Sequence, residues 1–123
     1  MPLVYIASPY KGLAVQESRR KSLAISVAEQ ECLKIIRECE DFTPISPILQ
    51  FSYLEENKHR DKALQMGREL LKACDYIYLS KHKDAKNSTG MQEELALAKK
   101  LGIKELTLEL PLYKGFKNSQ EKK

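Results

Sequence analysis

"LVYIA", residues 3–7, is an unbroken run of apolar side chains with branched and aromatic members, closed by "SPYKG" at residues 8–12. A strand that is apolar at successive positions keeps no face for water. It is therefore buried on both sides, as strands are when helices cover the two faces of a parallel sheet. The run predicts a central strand near the start of the chain, and the elements that follow are read from it outward.

From about Val15 to Glu40 the pattern is helical, with Leu23, Val27, Ile35 or Ile36, and Cys39 recurring at spacings near three and four and the charged residues falling on the other face. A short strand is expected over Phe42–Ile45, running into a loop, because Pro44 and Pro47 exclude a helix there. Helical spacing returns at His59–Cys74, with Ala63, Leu64, Leu70, Leu71 and Cys74 as apolar contacts. Asp75–Ser80 is rich in aromatic and branched residues and reads as a strand. A polar loop, "KHKDAKNSTG" at 81–90, leads into a helix ending near Gly102, a natural C′ residue, and "IKELTLEL" at 103–110 is the last strand. This β-α-β-α-β-α-β alternation predicts one α/β domain over residues 1–113: a small doubly wound parallel sheet of four to five strands with helices on both faces.

Composition narrows the functional classes. At 123 residues, 42% hydrophobic and 31% charged, the chain matches an ordinary single globular domain. No apolar run approaches the roughly 20 residues of a membrane helix, and "MPLVYIASPY" has neither the basic region nor the length of a signal peptide. A cytoplasmic protein is expected. Cys32, Cys39 and Cys74 form no C-x-x-C pair and are expected to be reduced, with Cys32 and Cys39 facing the core. His59 and His82 show no metal-ligand spacing, so no metal and no cofactor are expected. The net charge of +4 is carried mostly by "KGFKNSQEKK", residues 114–123, which reads as a basic, disordered tail. No nucleic-acid motif accompanies it.

Doubly wound sheets bind ligands beyond the C-terminal ends of their strands, at the switch point. Three junctions fall there. Ser8-Pro9-Tyr10 sets a rigid turn with two hydroxyls, Ser46-Pro47 repeats the serine-proline pair, and Ser88-Thr89-Gly90-Met91 opens the late helix. Glu93 and Glu94 follow in the expected first turn. Thr89-x-x-Gln92 matches a capping box, and acids near a helix N-terminus favour the macrodipole, so capping alone accounts for carboxylates there. With Leu95, Ala98 and Leu101 as the buried side, Glu94 lies at its edge over the Gly90 turn and looks into the crevice, whereas Glu93, rotated by about 100°, is solvated.

Taken together, these junctions resemble the nucleoside 2-deoxyribosyltransferase superfamily. The matching residues are Tyr5-Ile6-Ala7-Ser8-Pro9-Tyr10 and Ser88-x-Gly90-x-x-x-Glu94-Leu95. Pro44-Ile45-Ser46-Pro47, Cys74-Asp75, Gly90-Met91 and "ELALAKKLGI" look closer still to a small uncharacterised branch of it. The resemblance implies a flavodoxin-like or Rossmann-like sheet, a homodimer or higher homo-oligomer, and a nucleoside or nucleotide as small-molecule partner. It implies Glu94 as the nucleophile on the anomeric carbon, with its ionised form favoured by the helix N-terminus, and Tyr5 as the residue that orients it. Ser88 would hold the sugar or its phosphate, and Ser8, Pro9, Tyr10, Ser46, Pro47, Gly90 and Met91 would complete the binding wall. The chain departs from the superfamily at Gly67, where active transferases carry an aspartate eight residues before the one that opens the third strand, here Asp75.

Two functional classes remain open. One is an enzyme that cleaves or transfers an N-glycosidic bond, a deoxyribosyltransferase-like or N-glycosidase activity. The other is a non-catalytic module, a sensor or sequestering protein, holding a nucleotide-derived ligand in the same crevice; the Gly67 departure favours it. Partners such as nucleic acid or membrane are not expected. The long amphipathic first helix and the resemblance both predict self-association, and light scattering that reads a monomer at high micromolar concentration contradicts it.

Overall fold

The computed structural model describes residues 1–108. Four strands form one all-parallel sheet: β1 (Leu3–Ala7), β2 (Thr43–Ile45), β3 (Tyr76–Leu79) and β4 (Lys104–Glu105), in the order β2-β1-β3-β4. Helices α1 (Glu17–Glu38), α2 (Pro47–Gln50), α3 (Arg60–Lys72) and α4 (Thr89–Leu101) connect them, with a short 3₁₀ turn at Ala85–Asn87 before α4. The fold is α/β and doubly wound. The chain steps outward from β1 to β2 and then crosses back to β3, so the switch point lies between β1 and β3.

β1 is the centre of both cores. Val4 and Ile6 point to one face and pack with Ile35 of α1 and with Tyr78. Tyr5 and Ala7 point to the other and pack with Leu71, Cys74, Ile77, Met91 and Ala98. The period of two and full burial on both faces are what the apolar run demands. Register is set by Val4 opposite Tyr76 and Tyr5 opposite Ile77 on one side, and Tyr5 opposite Ile45 on the other.

The structure departs from the sequence reading in five places. Residues 47–50 are a short helix, not a loop: Pro47 sits at its first position, where proline loses no hydrogen bond, and the Ser46 hydroxyl caps it by accepting from the Leu49 N–H. The buried stripe of α1 is Ala24, Val27, Ala28, Glu31 and Ile35, so one charged residue lies on the inner face. Glu31 accepts from the Ser80 hydroxyl and from the Lys81 N–H, at 3.0 Å for the latter, just past β3. On α4, Leu101 is exposed and the inner face is formed by Met91 and Ala98, with Leu95 and Leu97 partly buried. Leu64 of α3 is likewise more exposed than a core contact. The last strand is seen as Lys104–Glu105, extended by one hydrogen bond from Leu106 N–H to the Ile77 carbonyl. Residues 109–113 of the expected domain and the tail from 114 lie outside the described residues.

All three cysteines are free; Cys74 is buried, and Cys32 and Cys39 are partly so. Among the described residues no helix is long and apolar enough to cross a membrane. Removing the buried carboxylate of Glu31 strands two donors at the end of β3. Glu31→Ala is expected to lose about 2–3 kcal/mol in urea unfolding, and a loss below about 0.5 kcal/mol, the scale of an ordinary surface change, contradicts that role.

Candidate functional site

Beyond the C-terminal end of β1 lies a cavity of about 690 Å³. Its floor carries Tyr5, Ser8, Ser88 and Glu94, with the α4 start, Thr89 to Met91, beside them. One face of α3, at Arg60, Ala63, Leu64, Gly67, Arg68 and Leu71, forms a wall. Pro47 and Ile48 of α2 and Phe51 just after it line the cavity as well. The volume suits a small organic ligand.

Of the residues singled out from the sequence, Tyr5, Ser8, Tyr10, Pro47, Ser88, Gly90, Met91 and Glu94 border this cavity. Pro9 and Ser46 do not. Pro9 is fully buried and shapes the turn, and the Ser46 hydroxyl is taken up in capping α2. Glu93 reaches the rim, exposed to water, and Glu94 reaches the floor. Sequence reasoning missed Gly12, Lys21, Ile25, Phe51, Arg60 and Asn87 as lining residues, since loops and helix faces far apart in the chain bring them together.

The central contact is a hydrogen bond from the Tyr5 hydroxyl to Glu94 Oε2. Tyr5 reaches it because it sits on the α3/α4 side of β1 with its ring in the core. Glu94 reaches it because Ser88, not Thr89, is the N-cap: its hydroxyl accepts from the Met91 N–H at 3.1 Å. The expected Thr89–Gln92 capping box is therefore displaced by one residue, and Met91 occupies the place where a reciprocal glutamate or glutamine would sit. It follows that Glu93 and Glu94 lie beyond the first turn of α4, which contains no acid.

That position reverses the expected electrostatics. The N-terminal dipole acts mainly within the first turn, whereas Glu94 is largely enclosed. Burial pushes its carboxyl up to about 7, against the Tyr5 hydrogen bond, which lowers it; the Glu93 charge raises it further. Tyr5 is pushed upward as well, by burial first and then by the neighbouring Glu94, so it stays protonated as a donor.

Ser8 is 8% exposed, and its hydroxyl oxygen has no hydrogen-bond partner among the described residues. Helix geometry also leaves the first N–H groups of α4 without intrahelical acceptors, and Thr89 and Gly90 carry two of these at the cavity. Two loops hold this region in place. The Asp84 carboxylate accepts from the Ala14 N–H at 3.1 Å, and a Cβ on Gly12 would lie 2.9 Å from the Asn87 carbonyl oxygen. The 81–87 loop therefore packs on the loop after β1 and contributes Asn87 to the cavity wall.

Gly67 is different. A Cβ there would meet only the Tyr5 hydroxyl, at an ordinary 3.6 Å, although glycine in a helix interior costs roughly 0.8–1.0 kcal/mol relative to alanine. Among the described residues no group of three His, Cys, Asp or Glu side chains is placed to hold a metal ion.

The raised carboxyl of Glu94 has a consequence for stability. Below its unfolded value near 4.5 both states are protonated. Between there and about 7 the unfolded chain ionises first, so folding free energy is lost as pH rises, and the loss is complete above about 7. Glu94→Gln removes this loss and keeps an acceptor for Tyr5. Its Tm is expected to exceed that of the unaltered chain at pH 8 and to match it near pH 4. Equal Tm differences at both pH values contradict the assignment.

A model of the family described as "Domain of unknown function (DUF7768)" matches residues 2–107. No curated protein matches the chain.

Proposed function

The chain belongs to the DUF7768 family, whose description carries no chemistry, and from the cavity itself we propose that it cleaves or transfers the N-glycosidic bond of a nucleoside or nucleotide, with Glu94 as nucleophile. The observation that carries this reading is the Tyr5–Glu94 pair on the floor of a ligand-sized cavity at the switch point. The resemblance of Ser88-x-Gly90-x-x-x-Glu94 to the nucleoside 2-deoxyribosyltransferases supports the same residue in the same role.

The chemistry is that of a retaining displacement. An oxygen of ionised Glu94 bonds to the anomeric carbon as the C–N bond breaks. The electron pair goes to the base nitrogen, which takes up a proton from water. Water, or the nitrogen of a second base, then displaces Glu94 and releases the sugar. Tyr5 donates to the carboxylate throughout and fixes its rotamer. The free hydroxyl of Ser8, with Ser88 and the α4 N–H groups, offers donors to sugar or phosphate oxygens. A homodimer is part of the proposal, and Leu33 and Ile36, each about half exposed on α1, are apolar surface available to it.

A second reading is a binding module for a nucleotide-derived ligand. It is favoured by the high proton affinity of Glu94, since a protonated carboxyl donates to a ligand oxygen but does not attack carbon.

Free-base release from a panel of nucleosides and their 5′-monophosphates, read by chromatography, separates the two. For the enzyme, Glu94→Gln is expected to cut the rate by about three powers of ten or more, with each 1.36 kcal/mol of barrier worth tenfold. Affinity should change far less, and the wild-type rate should rise with pH through about 7 as Glu94 ionises. Release by the wild type at the uncatalysed level, equal to that of Glu94→Gln, removes the catalytic reading for that panel.

A further inference from the structure

We infer that residues 51–59 are a hinged strap at the cavity, latched to α1 by the Arg20–Glu56 ion pair, and that the cavity is entered and left by release of this latch. The inference goes beyond the functional reading, since it holds for any occupant of the cavity.

The strap joins α2 to α3 without a helix or strand of its own. Phe51, Ser52, Leu54, Glu55 and Glu56 all border the cavity. The segment is built as a pair of short closed turns. In the first, the Leu54 N–H donates to the Phe51 carbonyl at 3.1 Å. In the second, the His59 N–H donates to the Glu55 carbonyl and the Glu55 N–H donates back to His59 Nδ1, each at 2.9 Å. These bonds stiffen the strap but tie it to nothing else. Its other backbone bonds run to the adjoining helices, from the Phe51 N–H to the Pro47 carbonyl and from the Ala63 N–H to the His59 carbonyl. None of its residues is fully buried. Such a segment opens at low cost, because few apolar contacts and no sheet hydrogen bonds are lost.

Consecutive residues of α1 hold it down. Arg20 Nη1 donates to Glu56 Oε1 at 2.8 Å, and Lys21 Nζ donates to the Leu54 carbonyl at 3.3 Å. They grip the strap on either side of the joint between its turns. The ion pair is the stronger tie, since its side chains are only 20% and 16% exposed and water screens them less. It is also incomplete. Arg20 Nε is covered by protein but has no hydrogen-bond partner among the described residues, so the guanidinium does not grip Glu56 through two parallel bonds. The latch abuts the cavity through Tyr10: burial and then the Glu56 charge push its hydroxyl up, and Arg20 opposes them.

The loop at 81–87 shows the contrast. It also reaches the cavity, through Asn87. There Asp84 is buried and accepts from the Ala14 N–H, the Lys81 N–H is held by buried Glu31, and Gly12 packs directly on Asn87. One segment is pinned by buried partners and the other is latched.

The test is limited trypsin digestion of the full chain, followed peptide by peptide by mass spectrometry. Lys58, exposed in the strap, reports its opening, and Lys81, exposed in the pinned loop, is the internal control. Glu56→Ala is expected to raise the cleavage rate after Lys58 about tenfold, since cleavage follows the population of the open form, and to leave that after Lys81 within about twofold. Arg20→Gln, which breaks the pair from the other side, should act alike, and combining the two should add little to either, as for partners in one contact. Equal acceleration at both lysines means that the pair serves the whole fold, and no acceleration at Lys58 means that it holds nothing; either result overturns the inference, as does full additivity of the two changes. Adenosine 5′-monophosphate at millimolar concentration should slow cleavage after Lys58 in the unaltered chain and dissociate faster from Glu56→Ala, read by NMR line shape. Uptake of this probe that leaves cleavage after Lys58 unchanged overturns the gating. Absence of uptake counts against the functional reading alone, and the ratio of the two cleavage rates still upholds or overturns the latched strap.

Discussion

The two-sided burial of β1 is the constraint on which the other features depend. Val4 and Ile6 fill the core under α1, and Tyr5 and Ala7 fill the core under α3 and α4. Because side chains alternate along a strand, a slip of one residue would exchange the two sets. Tyr5 would then face α1, and Glu94 would lose its partner. The same alternation that buries the strand therefore delivers the one phenolic hydroxyl on the cavity floor to its carboxylate. Core and site are not separable here: the ring of Tyr5 belongs to one and its oxygen to the other.

The two inward-facing carboxylates show how environment divides similar groups. Glu31 accepts from a serine hydroxyl and a backbone N–H at the end of β3 and does not border the cavity. It ties α1 to the sheet. Glu94 has the Tyr5 hydroxyl, the cavity beside it and a like-charged neighbour in Glu93. A helix dipole contributes 0.3–1 kcal/mol near the first turn, and Glu94 lies past it, so desolvation prevails and the proton is held more tightly. A carboxyl whose proton is held by burial weakens the fold once it ionises, whereas one that accepts two hydrogen bonds strengthens it.

Much of the fold was legible because its signals are local and strong. The apolar run at 3–7, the aromatic strand at 76–79 and the helical spacing at 60–72 need no tertiary knowledge. The departures fall where one local rule competes with another. Pro47 has the sequence signature of a helix breaker, yet proline at a first helical position is a helix start. Thr89-x-x-Gln92 has the form of a capping box, yet Ser88 is the cap, and that single residue of displacement puts both glutamates beyond the first turn. Helical spacing assigns the charges of α1 to its polar face, and nothing near Glu31 announces Ser80 and Lys81, 49 and 50 residues on. The facing of Glu94 toward the cavity was legible from Gly90 and Leu95. The α2–α3 side of the cavity was not, because Phe51, Arg60 and Arg68 carry no motif and come together only when α2 and α3 close on β1.

The pairing of β1 with β3 also governs how the chain comes to be folded. Val4 lies opposite Tyr76, and Leu3 N–H is bonded to the carboxylate of Asp75, 72 residues on. At a synthesis rate of about 5–20 residues per second, the stretch between them takes roughly 4–14 seconds to emerge from the ribosome. For that interval Leu3–Ala7 is an apolar, β-prone, uncharged segment without its central partner, and such segments pair with one another when left exposed. The strand at the centre of the sheet is thus secured on its β3 side only after some 72 further residues have been made, and its exposure in that interval is a cost of the parallel topology.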